Sequence, residues 1–82
     1  MRVKVKMPKL GLTMMEATVL EWRKRVGEPV KAGEPLLVIE TEKAEVEVEA
    51  PASGTLVEIL GEIRRSYPIG AVLAVIDVPG DA

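Results

Sequence analysis

The sequence predicts an all-β fold, a flattened barrel or sandwich of two four-stranded antiparallel sheets related by a pseudo-twofold axis. An internal repeat is the first observation behind this prediction. TVLEW from Thr18 matches TLVEI from Thr55 without a gap, at an offset of 37 residues, and GEPLLVIE matches GAVLAVID at the same offset. Two similar halves of four short strands each favour two packed sheets.

Alternation of valine with charged residues is the second observation. VKVKM from Val3 and VEVEA from Val46 have the period of 2 that marks strands with one buried face, and they match each other at an offset of 43. We therefore expect four valines in the core: Val3, Val5, Val46 and Val48. Six prolines and seven glycines leave no window for a helix of ordinary length.

Single residues within this pattern have structural interpretations. Trp22 lies in the middle of a strand, where a large aromatic residue packs in the core or covers a sheet face. Four glycines are interpreted as turn residues that permit a positive φ: Gly27, Gly33, Gly54 and Gly70. None of these positions suggests a phosphate-binding loop.

The difference between the two offsets locates an insertion and a turn. The first copy carries six extra residues after Pro8, within KLGLTMMEA. Lys43 lies at the join between the copies, so a twofold axis maps its turn onto the two chain ends. We expect the lysine at one end of the domain with the insertion beside it, and both chain ends at the other. TEKA contains no Gly, Asn or Pro, so local composition alone predicts this turn weakly.

Composition excludes several classes of function. The chain of 82 residues contains neither cysteine nor histidine, which rules out disulfides, zinc sites of thiolate and imidazole, and Cys or His catalysis. A net charge of −2 with one Trp and one Tyr argues against nucleic-acid binding. No run of 18 apolar residues or signal peptide is present, so we expect no membrane segment and a cytoplasmic location. We also expect no metal site.

Lys43 is the candidate functional residue, since it is a lone cation among the glutamates at 40, 42, 45, 47 and 49. Carboxylates stabilise the ammonium form, whereas a nucleophilic lysine needs desolvation or a cationic neighbour. Lys43 is therefore a poor catalytic amine. It remains suited to accept an acyl group that another enzyme has activated. The alternative is a solvated hairpin tip whose charges keep an edge strand soluble.

A family resemblance favours the acceptor. ETEKAEVEVEAPASG resembles the ETDKA-type signature of lipoyl domains, the swinging-arm modules of 2-oxo acid dehydrogenase complexes, and MPKLGLTMMEATVLEW resembles the start of the same domains. The similarity covers residues 2–78, including Gly27 and Gly54 at the family's spacing from Lys43. It implies the lipoyl/biotinyl hammerhead-like fold, lipoate as a covalent amide on Lys43, and a carrier domain without catalytic residues. It also implies a domain over residues 1–78 and the start of a linker or tail at 79–82.

The resemblance further implies partners. These are a lipoate-attaching enzyme, a thiamin-diphosphate decarboxylase component, an acyltransferase catalytic core and a flavin dihydrolipoyl dehydrogenase. Met14 and Met15 are interpreted either as a cap on the core or as part of an interface. Residues expected in recognition by these partners flank the lysine or lie in the insertion: Glu40, Thr41, Glu42, Ala44, Glu45, Leu10, Gly11, Leu12 and Thr13.

Other interpretations remain open. Biotinyl carrier domains share the fold but carry methionines on both sides of the lysine, where this chain has Glu42 and Ala44. An unmodified structural adaptor, as in the lipoyl-like domains of membrane-fusion proteins, does not need the TEKA lysine. The ending VPGDA suggests a fragment of a longer acyltransferase component. Arg64 and Arg65 replace the family's usual glycine-acidic turn, so that turn is expected to differ in shape.

Overall fold

The architecture comes from a computed structural model that describes residues 1–11 and 14–79. The expected linker at 79–82 therefore lies almost wholly outside the described residues and stays a prediction. Within them the chain forms eight strands and no helix, as predicted, and so has no helix that is long and apolar enough to cross a bilayer. The strands are β1 (Arg2–Lys6), β2 (Glu16–Trp22), β3 (Pro29–Val30), β4 (Pro35–Glu40), β5 (Glu45–Glu49), β6 (Gly54–Ile59), β7 (Ser66–Pro68) and β8 (Val72–Asp77).

The strands form two four-stranded antiparallel sheets, which confirms the predicted fold class. One sheet has the order β1-β8-β6-β3 and the other β5-β4-β2-β7. Exchanging each strand for the one four places away in the chain turns the first order into the second. The two sheets are therefore related by the pseudo-twofold axis that the repeat predicted.

The strand register follows the same symmetry residue by residue. Glu40 pairs with Glu45 at one end of the β4–β5 ladder, and Asp77 pairs with Arg2 at the matching end of the β8–β1 ladder. The offsets of 37 and 43 convert one pair into the other, and they also superpose the irregularity at the far end of each ladder. Turns and bulges thus occupy equivalent positions in both halves.

An aliphatic core lies between the two sheets. Its largest fully buried side chains are Met7, Val19, Leu36, Leu37, Ile39, Leu56, Leu73 and Ile76. Burying an aliphatic side chain of this size stabilises the fold by about 1.5–3 kcal/mol. Of the four valines expected in the core only Val5 is fully buried, while Val3, Val46 and Val48 are half-buried. The prediction was too strong for these three because β1 and β5 are edge strands, where solvent reaches inward-facing side chains.

Three of the four predicted turn glycines have a positive φ: Gly27 at 97°, Gly33 at 88° and Gly70 at 89°. Gly54 does not, and that expectation was wrong. It is a strand residue of β6, and a Cβ there would collide with the main-chain carbonyl oxygen of Asp77. Its glycine is required by the close approach of two strands rather than by a turn.

Arg64 and Trp22 are two further residues whose predicted roles the structure tests. Arg64 has φ of 70° and occupies the position equivalent to Gly27, so the backbone of this turn matches its counterpart although the sequence differs. The expectation that this turn differs in shape from the family's usual glycine-acidic turn stays a prediction. Trp22 is half-buried against the core, as predicted, but it is the last residue of β2 and not in the middle of a strand. Its indole N–H donates a hydrogen bond of 2.8 Å to the carbonyl oxygen of Gly61.

Candidate functional site

Lys43 lies in the four-residue turn that joins β4 to β5. The Thr41 N–H donates to the Ala44 carbonyl oxygen at 2.8 Å and closes the hairpin. The Thr41 hydroxyl oxygen then accepts from the backbone N–H groups of Ala44, at 3.1 Å, and Lys43, at 3.3 Å. One side chain thereby holds the backbone on both sides of the lysine Cα.

Thr41 supplies the turn chemistry that the composition of TEKA lacked. The favoured two-residue hairpin turns need a positive φ, which Gly or Asn provides. Among the described residues Arg64 is the one non-glycine residue with a positive φ, so Glu42 and Lys43 both keep a negative φ. A threonine hydroxyl that bonds to main-chain groups two and three residues ahead stabilises such a turn. This threonine was the available sequence signal, and we interpreted it only as a recognition residue.

The Lys43 side chain is exposed and available for reaction. Within the part of the chain that the structure describes, its ammonium has no carboxylate within salt-bridge distance. The neighbouring side chains of Glu40, Glu42 and Glu45 are exposed as well. The site therefore offers a free amine on a backbone fixed by Thr41, surrounded by negative charge.

The opposite end of the domain holds the symmetry counterpart of this turn. The Val78 N–H donates to the Met1 carbonyl oxygen at 2.6 Å, and the Met1 amine donates to the Val78 carbonyl oxygen at 3.0 Å. The repeat offsets map Thr41 and Ala44 onto this pair. The prediction that Lys43 lies at the end away from the chain ends is confirmed for Met1 and Val78, while residues 80–82 lie outside the described residues.

A groove lies between the Lys43 turn and the loop that joins β1 to β2. Leu10 and Gly11 from that loop line it together with Lys43, and Ala17, Thr18, Val46 and Ser66 are also among the lining residues. The Thr18 and Ser66 hydroxyls are hydrogen-bonded at 2.8 Å. The predicted position of the insertion beside the lysine is confirmed for Leu10 and Gly11. Leu12 and Thr13 lie outside the described residues, and recognition by any of these side chains stays a prediction.

Met14 packs against the core, as the first interpretation expects, whereas Met15 is exposed, as the second expects. Met14 packs against the core, and its Sδ accepts a hydrogen bond of 3.4 Å from the Leu10 N–H. Met15 is 79% exposed at the groove, where Leu10 is 48% exposed. Met14 thus anchors the loop, whereas Met15 and Leu10 present apolar surface near the lysine.

Other chemistry has no counterpart in the residues that the structure describes. They contain no cluster of three acidic side chains able to hold a metal ion, and no buried polar side chain. General acid-base or nucleophilic catalysis needs a perturbed group held in a cleft beside a partner. The described residues provide an exposed amine on a fixed turn beside a groove. Such an arrangement can accept a group and present it.

Comparison with known proteins agrees with this interpretation. The model of a family described as "Biotin-requiring enzyme", the biotin/lipoyl attachment family, matches residues 3–76. The chain is 45% identical to the dihydrolipoyllysine-residue acetyltransferase component of the acetoin cleaving system of Bacillus subtilis. The match covers all 82 residues of this chain and 20% of that protein. The chain is also 44% identical to the dihydrolipoyllysine-residue acetyltransferase component of the pyruvate dehydrogenase complex of Corynebacterium glutamicum. That match covers 78 residues, which are 95% of this chain and 11% of that protein. The chain thus spans a fifth or less of these relatives.

A solved structure gives the same assignment. The solution structure of the lipoyl domain of the 2-oxoglutarate dehydrogenase complex from Azotobacter vinelandii superposes with a TM-score of 0.77 at 32% identity, covering 95% of this chain and 99% of that one. The fold and these comparisons together define a carrier domain. The chain belongs to the biotin/lipoyl attachment family.

Proposed function

We propose that Lys43 is the residue that is lipoylated. The observation that carries the proposal is an exposed amine, without an ion pair among the described residues, at a hairpin fixed by Thr41 in a member of the attachment family. Amide formation at Nζ removes one positive charge and changes the formal net charge from −2 to −3. The Lys43 amine is exposed, so a modifying enzyme can reach it. The residues present therefore fit such an attachment.

The domain is a lipoyl carrier that shuttles acyl groups and reducing equivalents between active sites. Lipoate, once attached, supplies a dithiolane whose S–S bond is the redox-active and acyl-accepting group. The chain supplies position: Thr41 fixes the backbone, and Lys43 extends the group away from the end where Met1 pairs with Val78. Tethering in this way raises the local concentration of the carried group at each partner's active site.

The relatives support a proposal for the parent assembly and its components. An acetoin-cleaving system and a pyruvate dehydrogenase complex contain proteins that are 45% and 44% identical to this chain. We infer that a thiamin-diphosphate decarboxylase, an acyltransferase catalytic core and a flavin dihydrolipoyl dehydrogenase use this domain in turn. We infer as well that a lipoate-attaching enzyme modifies it and that it acts in the cytoplasm. The acyltransferase activity would belong to residues outside this chain.

Intact-mass measurement tests the attachment site. The domain is incubated with a lipoate ligase, lipoate and ATP, and we expect one lipoyl group on the wild type and none on Lys43→Ala. Lys31→Ala, which removes another exposed lysine next to a turn, is the matched control and should be modified like the wild type. An unmodified wild type would contradict the proposal and favour an unmodified structural adaptor.

Biotin is the second candidate group because the family includes biotin carriers. Glu42 and Ala44 stand where biotinyl domains carry methionines, so lipoate is favoured. The double variant Glu42→Met, Ala44→Met should gain biotin from a biotin ligase, while the wild type should gain little. Equal biotin incorporation by both proteins would show that discrimination lies outside these two flanking residues.

A further inference from the structure

Two exposed apolar side chains line the groove beside Lys43. They are Leu10 and Met15, and both belong to the loop that joins β1 to β2. Four other large apolar side chains of the described residues are exposed outside the groove: Met1, Val26, Leu60 and Ile63. Single exposed apolar side chains are ordinary on a protein surface, whereas apolar side chains that line a concave site are typical of ligand binding.

The backbone that carries these two side chains is held in place. The Met15 carbonyl oxygen accepts a hydrogen bond of 3.1 Å from the Ile69 N–H, and the Leu10 N–H donates to the Met14 Sδ at 3.4 Å. The Met14 N–H in turn donates to the Gly11 carbonyl oxygen at 3.3 Å. The apolar surface is therefore formed before anything binds to it, and binding does not have to order this backbone.

The lining of the groove combines apolar groups with one hydroxyl proton that is left to donate. Ala17 is buried in the lining, and Val46 lies in it while packing against the core. The Thr18 and Ser66 hydroxyls are hydrogen-bonded to each other at 2.8 Å, which uses one of their two protons. Within the described residues the second proton has no acceptor. A ligand with an apolar body and an acceptor oxygen matches these groups.

Negative charge around the groove selects against anionic ligands. The exposed side chains of Glu16, Glu40 and Glu42 belong to the lining. Lys43 is the one cation among the described lining residues, and acylation of its amine removes that charge. Because carboxylates repel other anions, the groove of the acylated domain is suited to a neutral, mainly apolar group.

We propose that this groove is a resting site for the lipoyl group on Lys43, an inference that rests on the proposed lipoylation of that residue. Lipoyl-lysine is neutral, its methylene chain and dithiolane ring are apolar, and its amide oxygen can accept the proton of the Thr18 and Ser66 pair. The thioether of Met15 is polarisable and adapts to the surface of a ring that contains sulfur. Since Lys43 itself lines the groove, the attached group begins at the site that it occupies.

Attachment to Lys43 makes weak binding sufficient. A short flexible tether gives an effective concentration on the order of millimolar, so a site with an affinity of about 1 mM is already half occupied. The lipoyl group is therefore divided between the groove and an extended position, and a partner that binds it more tightly draws it out. While the group rests in the groove, Leu10 and Met15 shield its S–S bond from reagents in solution.

Spectra of the methionine methyl groups test the contact directly. The domain is labelled at these methyl groups and lipoylated to completion, which intact mass verifies. Two methionines are internal controls, since Met1 lies at the opposite end of the domain and Met7 is buried in the core. We expect nuclear Overhauser contacts between the dithiolane protons and the Met15 methyl, and a shift of that methyl signal when the ring is reduced, with Met1 and Met7 unchanged.

A reduction rate tests the shielding with matched variants. One double variant replaces Leu10 and Met15 with Gln, and its control replaces Leu60 and Ile63, which are exposed outside the groove. Each lipoylated protein is reduced by an excess of a neutral phosphine, which takes oxygen from water to become the phosphine oxide while the S–S bond becomes two thiols. A lipoyl group that is in the groove for about two thirds of the time is reduced about threefold more slowly than a free one. The groove variant should therefore react about threefold faster than the wild type, and the control variant should match the wild type.

Absence of contacts at the Met15 methyl would overturn the proposal, and so would equal reduction rates for the wild type and the groove variant. Both measurements are repeated at high dilution. Contacts or shielding that weaken on dilution would assign the groove to the lipoyl group of a second copy and overturn the proposal as well. If the groove variant folds or lipoylates poorly, the spectra of the wild type still decide. Failure of the proposed function is distinguishable, since intact mass would then show no lipoyl group on the wild type.

Discussion

The Lys43 turn and the pairing of Met1 with Val78 are the same backbone arrangement with different side chains. In both, one N–H closes the ladder onto the facing carbonyl, at 2.8 Å in the turn and 2.6 Å at the chain ends. The turn adds the Thr41 hydroxyl where the other end has Val78, and Glu45 where the other end has Arg2. The comparison shows that the repeat determines where the backbone goes, while a few side chains distinguish the end that we propose as the attachment site.

Gly54 and its counterpart Ala17 test how far the two halves are interchangeable. In Gly54→Ala the new Cβ would meet the Asp77 carbonyl oxygen, and we expect the free energy of unfolding to fall by about 3 kcal/mol. Ala17→Gly, which removes a Cβ that the structure accommodates, should cost only about 1 kcal/mol. Urea unfolding of both variants measures the difference, and equal losses would mean that the strand contact at Gly54 is not the constraint.

Thr41 tests the feature that distinguishes the attachment end. Thr41→Val keeps the side-chain shape but leaves the Lys43 and Ala44 N–H groups without the hydroxyl, and we expect a loss of about 1–2 kcal/mol in unfolding free energy. Lipoylation should slow as well, because the lysine backbone is no longer fixed.

Thr41→Ser is the matched control, since it retains the hydroxyl, and it should keep most of the stability and the rate. Val78→Thr at the opposite end should change neither by much. If Thr41→Val were as stable as Thr41→Ser, the hydrogen bonds of the hydroxyl would not be what holds the turn.

Substitutions at Arg64 and Gly27 test whether the turns that contain these two residues are equivalent. A non-glycine residue with φ of 70° is strained, so Arg64→Gly should raise the unfolding free energy by about 0.5–1 kcal/mol. Gly27→Ala should lower it by a similar amount, because it introduces the same strain at the equivalent position. Thermal unfolding of the pair gives both signs, and destabilisation by Arg64→Gly would point to a contact of the arginine side chain.

Glu45 tests the reversed charge at the two ends. In Glu45→Arg the repulsive pair with Glu40 becomes attractive like Arg2 with Asp77, and we expect stabilisation by a few tenths of a kcal/mol. Arg2→Glu should be destabilising by the same reasoning. Thermal unfolding at low salt is the measurement, and the effect should weaken as salt is added. A stabilised Glu45→Arg variant that is lipoylated more slowly would link the repulsion to recognition.

Glu34 should give the smallest effect, and it concerns a turn of one half only. The Lys31 N–H, at 3.2 Å, and then the Lys24 ammonium, at 3.3 Å, lower the pKa of the Glu34 carboxyl in the folded state. Its stabilisation is therefore present above the unfolded-state pKa and is lost as pH falls through the folded pKa. Glu34→Gln should be slightly less stable than the wild type at neutral pH and equal to it in acid.

Glu58→Gln is the control for this pH series, since Glu58 is exposed and has no side-chain hydrogen bond or ion pair within the described residues. Its stability should follow the wild type across the same pH range. A Glu34→Gln deficit that persisted in acid would assign the effect to packing or solvation rather than to the charge.

Much of the fold was predictable because the repeat contains non-local information. Matching Thr18 with Thr55 and Val3 with Val46 predicted eight strands, the twofold relation and the opposite placement of Lys43 and the chain ends. The structure bears out the first two, and it bears out the third for Met1 and Val78 of the described residues. Local patterns were less informative. Alternation identified the valines of β5 but could not show that β5 is an edge strand, where Val46 and Val48 are only half-buried.

At the site, the sequence by itself determined which residue we propose as the acceptor: a lone lysine among glutamates, at the join between two copies, in a segment that resembles the lipoyl signature. Strand period, repeat offset and residue type are written along the chain and need no coordinates to be recognised. Composition also excluded Cys and His catalysis, since the chain contains neither residue.

Only the tertiary structure decided how the site is held and what surrounds it. The Thr41 hydroxyl could replace a turn glycine only through its geometry to Lys43 and Ala44. Gly54 owes its glycine to Asp77 on another strand, and the groove beside Lys43 brings Leu10 next to a turn more than thirty residues away in the chain. These features depend on distances between segments remote in sequence, which the packing of the two sheets determines and which no local pattern encodes.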